Sequence, residues 1–148
     1  MRAISTWQPF AHLIAIGAKK IETRPYPLPP AILGQRIAIA ATKNIRSAQR
    51  RAIEDPFLQD ELLRLAVPPL DTLPRGCVVA TAIAARSEPI TQELVDALSP
   101  AEFAMGWYAE GRFAWFLEDV IKIEPVPARG MQGFWHWEPP SENPPVKA

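Results

Sequence analysis

Three charged residues, Lys19, Glu22 and Arg24, have the spacing to act together in the segment GAKKIETR, and we call them the charged cluster. If residues 21–24 form a strand, Glu22 and Arg24 share one face, because side chains alternate sides along a strand. If Lys19 lies in the turn before the strand, it can reach the same place, and if the strand starts at Lys20, that residue joins the same face. A carboxylate between two cations can accept a proton while the cations hold an anion. The same spacing also fits an exposed group of ion pairs, which contributes little to stability.

The elements that must position these charges are a first strand, a helix and a return strand. Pro9 indicates the first position of the helix, where its missing N–H would have no partner anyway. Gly17 indicates the end of the helix, because glycine adopts a left-handed backbone without steric cost. Trp7 and Gln8 stand at the turn into this helix. We therefore predict that both lie beside the charged cluster, at the mouth of a polar site.

Two separated motifs resemble the start and the end of an ASCH domain, a member of the PUA-like superfamily. The first is I-S-x-W-Q-P-F followed by G-x-K-x-x-E-x-R, within residues 4–24, and the second is FAWFLE followed by PVPARGMQGFW, within 113–135. Together they cover about residues 3–137, and two motifs in order are far more specific than one. The resemblance implies an α+β fold, a small PUA-like β-barrel of about five to six strands surrounded by short helices. It places the domain at residues 1–138 and a proline-rich flexible tail at 139–148.

The resemblance leaves three functions open, so whether the protein is an enzyme is undecided. A ribonuclease acting on single-stranded RNA would use Lys19, Glu22 and Arg24 as catalytic residues, with Glu22 as base or orienting Lys19 and the two cations neutralising phosphate. A second function is a non-catalytic module that binds RNA or reads a modified base. The third, an amidohydrolase acting on acylated nucleosides, is disfavoured because Glu22 stands where those enzymes have a threonine nucleophile. Thr23 is adjacent and is expected to face the other way.

The ligand implied by the resemblance is single-stranded RNA, a nucleotide or a nucleoside. Aromatic residues of the motifs are candidates for stacking on unpaired bases, and a glycine in the late loop allows close approach of the backbone to a ligand. The predicted binding residues are Trp7, Gln8, Tyr26, Lys43, Trp115, Arg129, Gly130 and Gln132. They are expected to form a cleft between the 19–24 segment and the 129–133 loop. Arginines 46, 50 and 51 form a basic patch with Lys43, which is either solvated or phosphate-binding.

Composition narrows these possibilities. The chain of 148 residues has no net formal charge, which argues against coating nucleic acid by bulk charge but allows a localised basic groove. A single cysteine, Cys77, excludes an internal disulfide and indicates a reducing compartment, and two histidines beside it offer little for a zinc site. The longest apolar run, residues 77–85, is too short to cross a bilayer. We therefore expect a cytoplasmic monomer that needs no cofactor, no metal and no membrane.

Overall fold

The computed structural model describes residues 1–140. Residues 141–148, most of the proline-rich tail predicted from the sequence, lie outside the described residues. The strands are β1 (Arg2–Thr6), β2 (Ile21–Arg24), β3 (Arg36–Ala41), β4 (Cys77–Pro89), β5 (Phe113–Pro127) and β6 (Trp135–His136). The helices are α1 (Phe10–Ala15), α2 (Ser47–Ala52), α3 (Pro56–Arg64), α4 (Gln92–Asp96) and α5 (Pro100–Ala104), with a 3₁₀ turn at Leu70–Thr72. Within 1–140, no helix has the length and hydrophobicity to cross a membrane.

The six strands form one mixed sheet in the order β2-β5-β4-β3-β1-β6, in which only β1 and β3 run parallel. The α+β class and the six strands are confirmed, but the closed barrel is not. Within residues 1–140 the edge strands β2 and β6 are not paired with each other. The Arg24 guanidinium of β2 donates instead to the carbonyl oxygen of Ser5 in β1, at 2.9 Å. A side chain thus links β2 to β1, and the sheet stays open between its edge strands β2 and β6.

Strand β5 differs from the sequence prediction in its length. Glu118 and Asp119 indicate a break between two short strands, whereas β5 continues through them for 15 residues. Asp119 adopts a φ of 48°, a left-handed conformation that acidic residues tolerate better than most. The register between β4 and β5 shifts at three places, which bends the long pair without ending it. The bent pair supports both β2 and the loop that follows β5.

Helix α1 packs its apolar face on the sheet and delivers Lys19 to the interior. Ala11 and Ile14 join Ile4 and Ile39 in the main core. Pro9 occupies the N-cap position, one residue before the predicted one, and the helix ends before Gly17, which has a φ of 81° as predicted. The N–H groups of Ala18 and Lys19 then donate to the carbonyl oxygen of Leu13, so the chain turns sharply into β2.

The short helices cover one end of the sheet, and their caps follow the sequence. The Asp55-Pro56 pair predicts a helix cap followed by the first residue of a helix. Asp55 indeed accepts hydrogen bonds from the N–H groups of Phe57 and Leu58, and Pro56 starts α3. Ser99 caps α5 by accepting from the Glu102 N–H. Helices α3 and α5 meet α1 in a separate apolar group that contains Phe10, Leu13, Leu58 and Met105. This packing places the Met105 carbonyl next to Lys19.

Candidate functional site

Lys19 is the most deeply buried member of the charged cluster, with 1% of its surface exposed. Its Nζ donates to the carbonyl oxygens of Ile21 at 2.5 Å and Met105 at 2.6 Å. Burial lowers the pKa of Lys19, while the nearby carboxylates of Glu22 and Glu102 act in the opposite direction. The ammonium therefore connects the α1–β2 turn to the end of α5.

Glu22 lies between the two cations of the cluster, as the alternation along β2 predicts. Its Oε1 is 3.8 Å from Lys19 Nζ and accepts the backbone N–H of Thr23 at 3.1 Å. Its Oε2 accepts from the Arg24 guanidinium at 3.3 Å. Arg24 also lies over the ring of Trp115, with 5.7 Å between the guanidinium carbon and the ring centroid. The cluster is consequently a connected network inside the protein, and Arg24 is its most exposed member.

Glu102 extends this network and was not found from the sequence. The capping motif S-P-A-E directs a glutamate back to the start of its own helix, but the Glu102 carboxyl turns towards the interior. Burial raises the pKa of Glu102, and the Lys19 ammonium and the backbone amides of Lys20 and Ile21 oppose this. Its Oε1 and the hydroxyl of Tyr108 are buried without a hydrogen-bond partner among residues 1–140. Burial and the charge of Glu102 also raise the pKa of Tyr108.

The charged cluster opens into a cavity of about 400 Å³, which we call the small cavity. Glu22, Thr23 and Arg24 form one side, and Trp107 and Arg112 form another. Thr23 therefore also borders the cavity, and its Oγ1 accepts the backbone N–H of Trp107 at 3.0 Å. The remaining lining comes from Ser5, Thr6, Trp7, Phe10, Lys19, Ala52 and residues 104–106.

A second and wider depression, of about 1590 Å³, lies on the other side of Arg24, and we call it the large cleft. Its walls are formed by residues at the ends of β1 and β2, by residues 41–43 at the end of β3, by residues 75–76 just before β4, and by the loop after β5. Its cationic side chains are Arg24, Lys43, Arg75 and Arg129. Among residues 1–140, no aspartate, glutamate or histidine lines it. Ser5 and Arg24 border both spaces, so the small cavity and the large cleft meet there.

Gly130 is required by the close approach of the 129–133 loop to β1. A Cβ at this position would lie 2.7 Å from Ser5 Oγ, which is closer than real side chains approach. Ser5 Oγ in turn accepts from Trp135 Nε1 at 3.1 Å. The sequence predicts that a glycine in this loop lets the backbone approach a ligand. In the structure, the group closest to the missing Cβ of Gly130 is the hydroxyl of Ser5.

The structure divides the sequence-predicted residues among three places. Tyr26, Lys43, Arg129, Gly130 and Gln132 line the large cleft, and Arg24 lies at its border with the small cavity. Trp7, Lys19 and Glu22 line the small cavity. The predicted cleft between the 19–24 segment and the 129–133 loop is therefore met only in part: Arg24 and Tyr26 line a cleft with the loop, whereas Lys19 and Glu22 face the small cavity.

Gln8 and Trp115 line neither space, and each has a structural role. Gln8 is fully buried, donates from Nε2 to the carbonyl oxygen of Pro74 at 2.7 Å, and accepts the N–H of His12 at 2.9 Å. Trp115 is fully buried, and its Nε1 donates to the carbonyl oxygen of Tyr26 at 3.0 Å. Neither side chain is available to a ligand in this conformation.

Two residues at the two spaces, Arg75 and Arg112, were missed by sequence reasoning, and a third, Trp107, was assigned to hydrophobic packing. Arg75 lines the large cleft together with Lys43. The available sequence signal was the glycine that follows it, Gly76, whose N–H donates to the Ala41 carbonyl at 2.9 Å and so holds this segment beside the end of β3. Trp107 and Arg112 line the small cavity, with the guanidinium carbon 4.2 Å from the indole centroid. No local pattern places a residue of the α5–β5 connection beside β2.

The basic patch on α2 lies elsewhere. Arg46, Arg50 and Arg51 line neither the large cleft nor the small cavity, and Arg50 pairs with Asp71 at 2.7 Å. Across residues 1–140 no group of three or more His, Cys, Asp or Glu residues has the geometry to hold a metal ion.

Comparison with known proteins concerns the fold. No family model matches the chain, and no curated protein matches its sequence. The crystal structure of ASCH from Zymomonas mobilis superimposes with a TM-score of 0.51 at 24% identity, over 85% of this chain and 72% of that chain. Two point mutants of that protein, one tyrosine to phenylalanine and one serine to alanine, superimpose with TM-scores of 0.47 and 0.48, each at 23% identity over 85% of this chain, and over 74% and 72% of theirs. At this identity the first similarity shows the fold alone.

Proposed function

We propose that this chain, which has the fold of an ASCH domain, binds single-stranded RNA in the large cleft. The observation that carries the proposal is the charge of the lining: four cations and, among residues 1–140, no carboxylate. The whole sequence has no net charge, so this concentration of one sign is local. Like charges that line one cleft repel, and an anionic ligand relieves that repulsion. Glu22 already compensates Arg24 in part, at 3.3 Å, so Lys43, Arg75 and Arg129 carry most of the attraction.

The size of the cleft favours a strand over a single nucleotide. Pockets for small molecules measure roughly 300–1,000 Å³, whereas the large cleft measures about 1590 Å³. Tyr26, 38% exposed, stands at its edge and offers an aromatic surface for an unpaired base. A groove that combines cations with an aromatic surface is typical of proteins that bind single strands without reading sequence.

The 129–133 loop supplies donors as well as charge. None of its five backbone N–H groups has an acceptor among residues 1–140. Backbone N–H groups are common ligands of phosphate oxygens and need no particular base. Phosphates of the strand would therefore lie between this loop and the side chains of Arg24 and Arg75.

Binding is better supported than cleavage. The large cleft has no acidic or histidine side chain from residues 1–140 to act as a general base. Glu22 and Lys19 border the small cavity, but the Lys19 ammonium is held by two backbone carbonyls and Glu22 by Thr23 and Arg24. For an amidohydrolase, Glu22 replaces the expected threonine and the Thr23 hydroxyl is already an acceptor for Trp107 N–H. We therefore place an RNA-binding module ahead of a ribonuclease and an amidohydrolase.

The direct test is the binding of a fluorescent single-stranded RNA, measured by anisotropy at several salt concentrations. The variant Arg75→Ala/Arg129→Ala should weaken binding and reduce the salt slope by roughly 1.4, since each single-strand phosphate contact contributes about 0.7. The matched control is Arg46→Ala/Arg51→Ala, which removes the same charge from exposed residues outside the cleft. Equal weakening by both double variants, or no binding by the wild type at low salt, would contradict the proposal.

Cleavage is tested separately on the same RNA by following its length on a gel. If Glu22 is a general base, Glu22→Gln should abolish cleavage while leaving binding in place. A wild-type protein that binds the strand and leaves it intact supports the non-catalytic module.

A further inference from the structure

We propose that the small cavity holds one base of the bound strand, stacked on Trp107, and that Glu22 selects a base with an exocyclic amino group. This inference rests on the proposed function, because the strand must first be held in the large cleft. The two spaces meet at Ser5 and Arg24. A phosphate at Arg24 can therefore remain in the large cleft while its neighbouring base enters the small cavity.

Trp107 is an exposed aromatic residue that the protein holds in a fixed position. Its surface is 67% exposed, although its backbone N–H donates to Thr23 Oγ1 and its carbonyl accepts from Arg112 Nε, both at 3.0 Å. The Arg112 guanidinium lies 4.2 Å from the indole centroid and itself donates to the carbonyl of Thr23. The indole therefore lines the small cavity in a fixed position with much of its surface exposed to solvent. Stacking of a base on such a ring is favourable for every base.

The acceptor capacity of Glu22 supplies the selectivity. An ionised carboxylate offers about four lone-pair sites. The Thr23 N–H and the Arg24 guanidinium each occupy one, and Lys19 Nζ, at 3.8 Å from Oε1, directs its short hydrogen bonds to carbonyl oxygens. The remaining sites accept a donor from the cavity, and a cytosine amino group is a suitable partner for a glutamate. Uracil presents a carbonyl at the corresponding position and would be repelled.

The size of the cavity fits this occupant. At about 400 Å³ it lies at the low end of small-molecule pockets, roughly 300–1,000 Å³. Its carboxylate comes from β2, and its aromatic surfaces come from Trp107 in the α5–β5 connection and from Trp7 and Phe10 near the start of α1. A planar ring can therefore be contacted at its face and at its edge. One unpaired base meets both requirements, whereas a base pair presents its amino group to its partner.

The first measurement compares oligocytidine and oligouridine of the same length by anisotropy. We expect the wild type to bind oligocytidine several-fold more tightly, and Glu22→Gln to remove that preference because a neutral amide both donates and accepts. Trp107→Ala should weaken binding of both oligomers by roughly tenfold. Phe57→Ala is the control, because Phe57 is also exposed, at 57%, and lines neither space.

Tryptophan fluorescence gives a readout that does not depend on Glu22. Trp107 is exposed and Trp7, which also lines the small cavity, is half-buried, while Trp115, Trp135 and Trp137 are buried. In a Trp7→Phe background, bound RNA should therefore quench the exposed fraction of the emission, and adding Trp107→Ala should remove that quenching. Equal affinities for the two oligomers, or quenching that persists once Trp107→Ala is added, would overturn the inference while RNA binding itself remains. Absence of any RNA binding by the wild type would instead remove the proposed function.

Discussion

The two sides of Arg24 use the same residue types for opposite purposes. In the charged cluster, Lys19 and Arg24 face the Glu22 carboxylate and backbone carbonyls at 2.5–3.8 Å. In the large cleft, Arg75 and Arg129 face other cations, and no carboxylate from residues 1–140 lies among them. Charges that are buried and paired stabilise a particular arrangement of the chain, whereas exposed charges of one sign attract a ligand. Burial and pairing, more than residue type, therefore separate the structural cations from the binding cations.

The largest effect is expected for Lys19→Met, which keeps much of the side-chain volume but removes the ammonium. The carbonyls of Ile21 and Met105 would lose their donor, and Glu22 would lose a neighbouring cation. Removing one partner from a buried charged network costs about 3–5 kcal/mol. Urea denaturation measures this loss. The control Lys43→Met alters an exposed residue and should change the free energy of unfolding by no more than about 0.5 kcal/mol; similar losses in both variants would contradict the comparison.

The second prediction concerns a variant that adds a carboxylate to the large cleft, so that its cations gain an acidic partner as those of the charged cluster have. Gln132→Glu places one acidic group of nearly the same shape among the four cations. We expect RNA affinity to fall by about tenfold, or about 1.4 kcal/mol, with stability unchanged. Anisotropy and urea denaturation measure the two quantities. Gln35→Glu makes the same change at an exposed position outside both spaces and should leave affinity unchanged; a comparable decrease there would show that only total charge matters.

The third prediction concerns pH and Glu102. Because the folded protein raises the pKa of Glu102 above its ordinary value of 4.5, the folded state holds this proton more tightly than the unfolded state. The corresponding stability is fully present below about pH 4.5 and is lost as pH rises through the folded pKa. Glu102→Gln should flatten the fall in unfolding free energy as pH rises above about 4.5. Glu110→Gln, at an exposed residue, should keep the wild-type slope; an unchanged slope in Glu102→Gln would be the contrary result.

The smallest effect is expected on the basic patch of α2. Arg50 and Asp71 form an exposed ion pair at 2.7 Å, and such pairs contribute about 0–1 kcal/mol. Arg50→Ala should therefore change stability little and leave RNA affinity unchanged, since Arg50 lines neither space. Denaturation and anisotropy on the same sample measure both. A loss of RNA affinity larger than that of Arg75→Ala would move the binding site to α2.

The sequence was most informative where local chemistry decides structure. The left-handed Gly17, the Asp55 cap and the alternation that joins Glu22 to Arg24 all depend on neighbouring residues alone. The resemblance to a known family added what local rules do not contain, the α+β class and the meeting of the β2 segment with the 129–133 loop. The structure places Arg24 and the loop on one cleft but puts Lys19 and Glu22 in the small cavity, so only part of the predicted cleft is present.

The sequence failed where distant parts of the chain decide a side chain's surroundings. Gln8 stands beside the charged cluster in sequence, but the Pro74 carbonyl, 66 positions away, holds its amide in the core. Trp115 packs in the main core, where the Tyr26 carbonyl, 89 positions away, accepts from its indole N–H. Glu102 reaches Lys19 only because α5 packs against α3 and α1. The closed barrel was expected from the family resemblance and is not confirmed. Closure depends on pairing between the edge strands β2 and β6, which no local pattern determines.

The contact of Ser5 with the 129–133 loop joins the beginning of the described chain to its far end. Trp135 reaches the Ser5 hydroxyl across 130 positions. Pairings of such sequence separation form slowly, because chain closure must precede any stabilising contact. A polypeptide emerging from the ribosome thus carries Arg24, Lys43 and Arg75 well before it has the 129–133 loop that completes the cleft. Recovery of RNA affinity during refolding should therefore report the completion of the native topology and follow the earlier formation of helices.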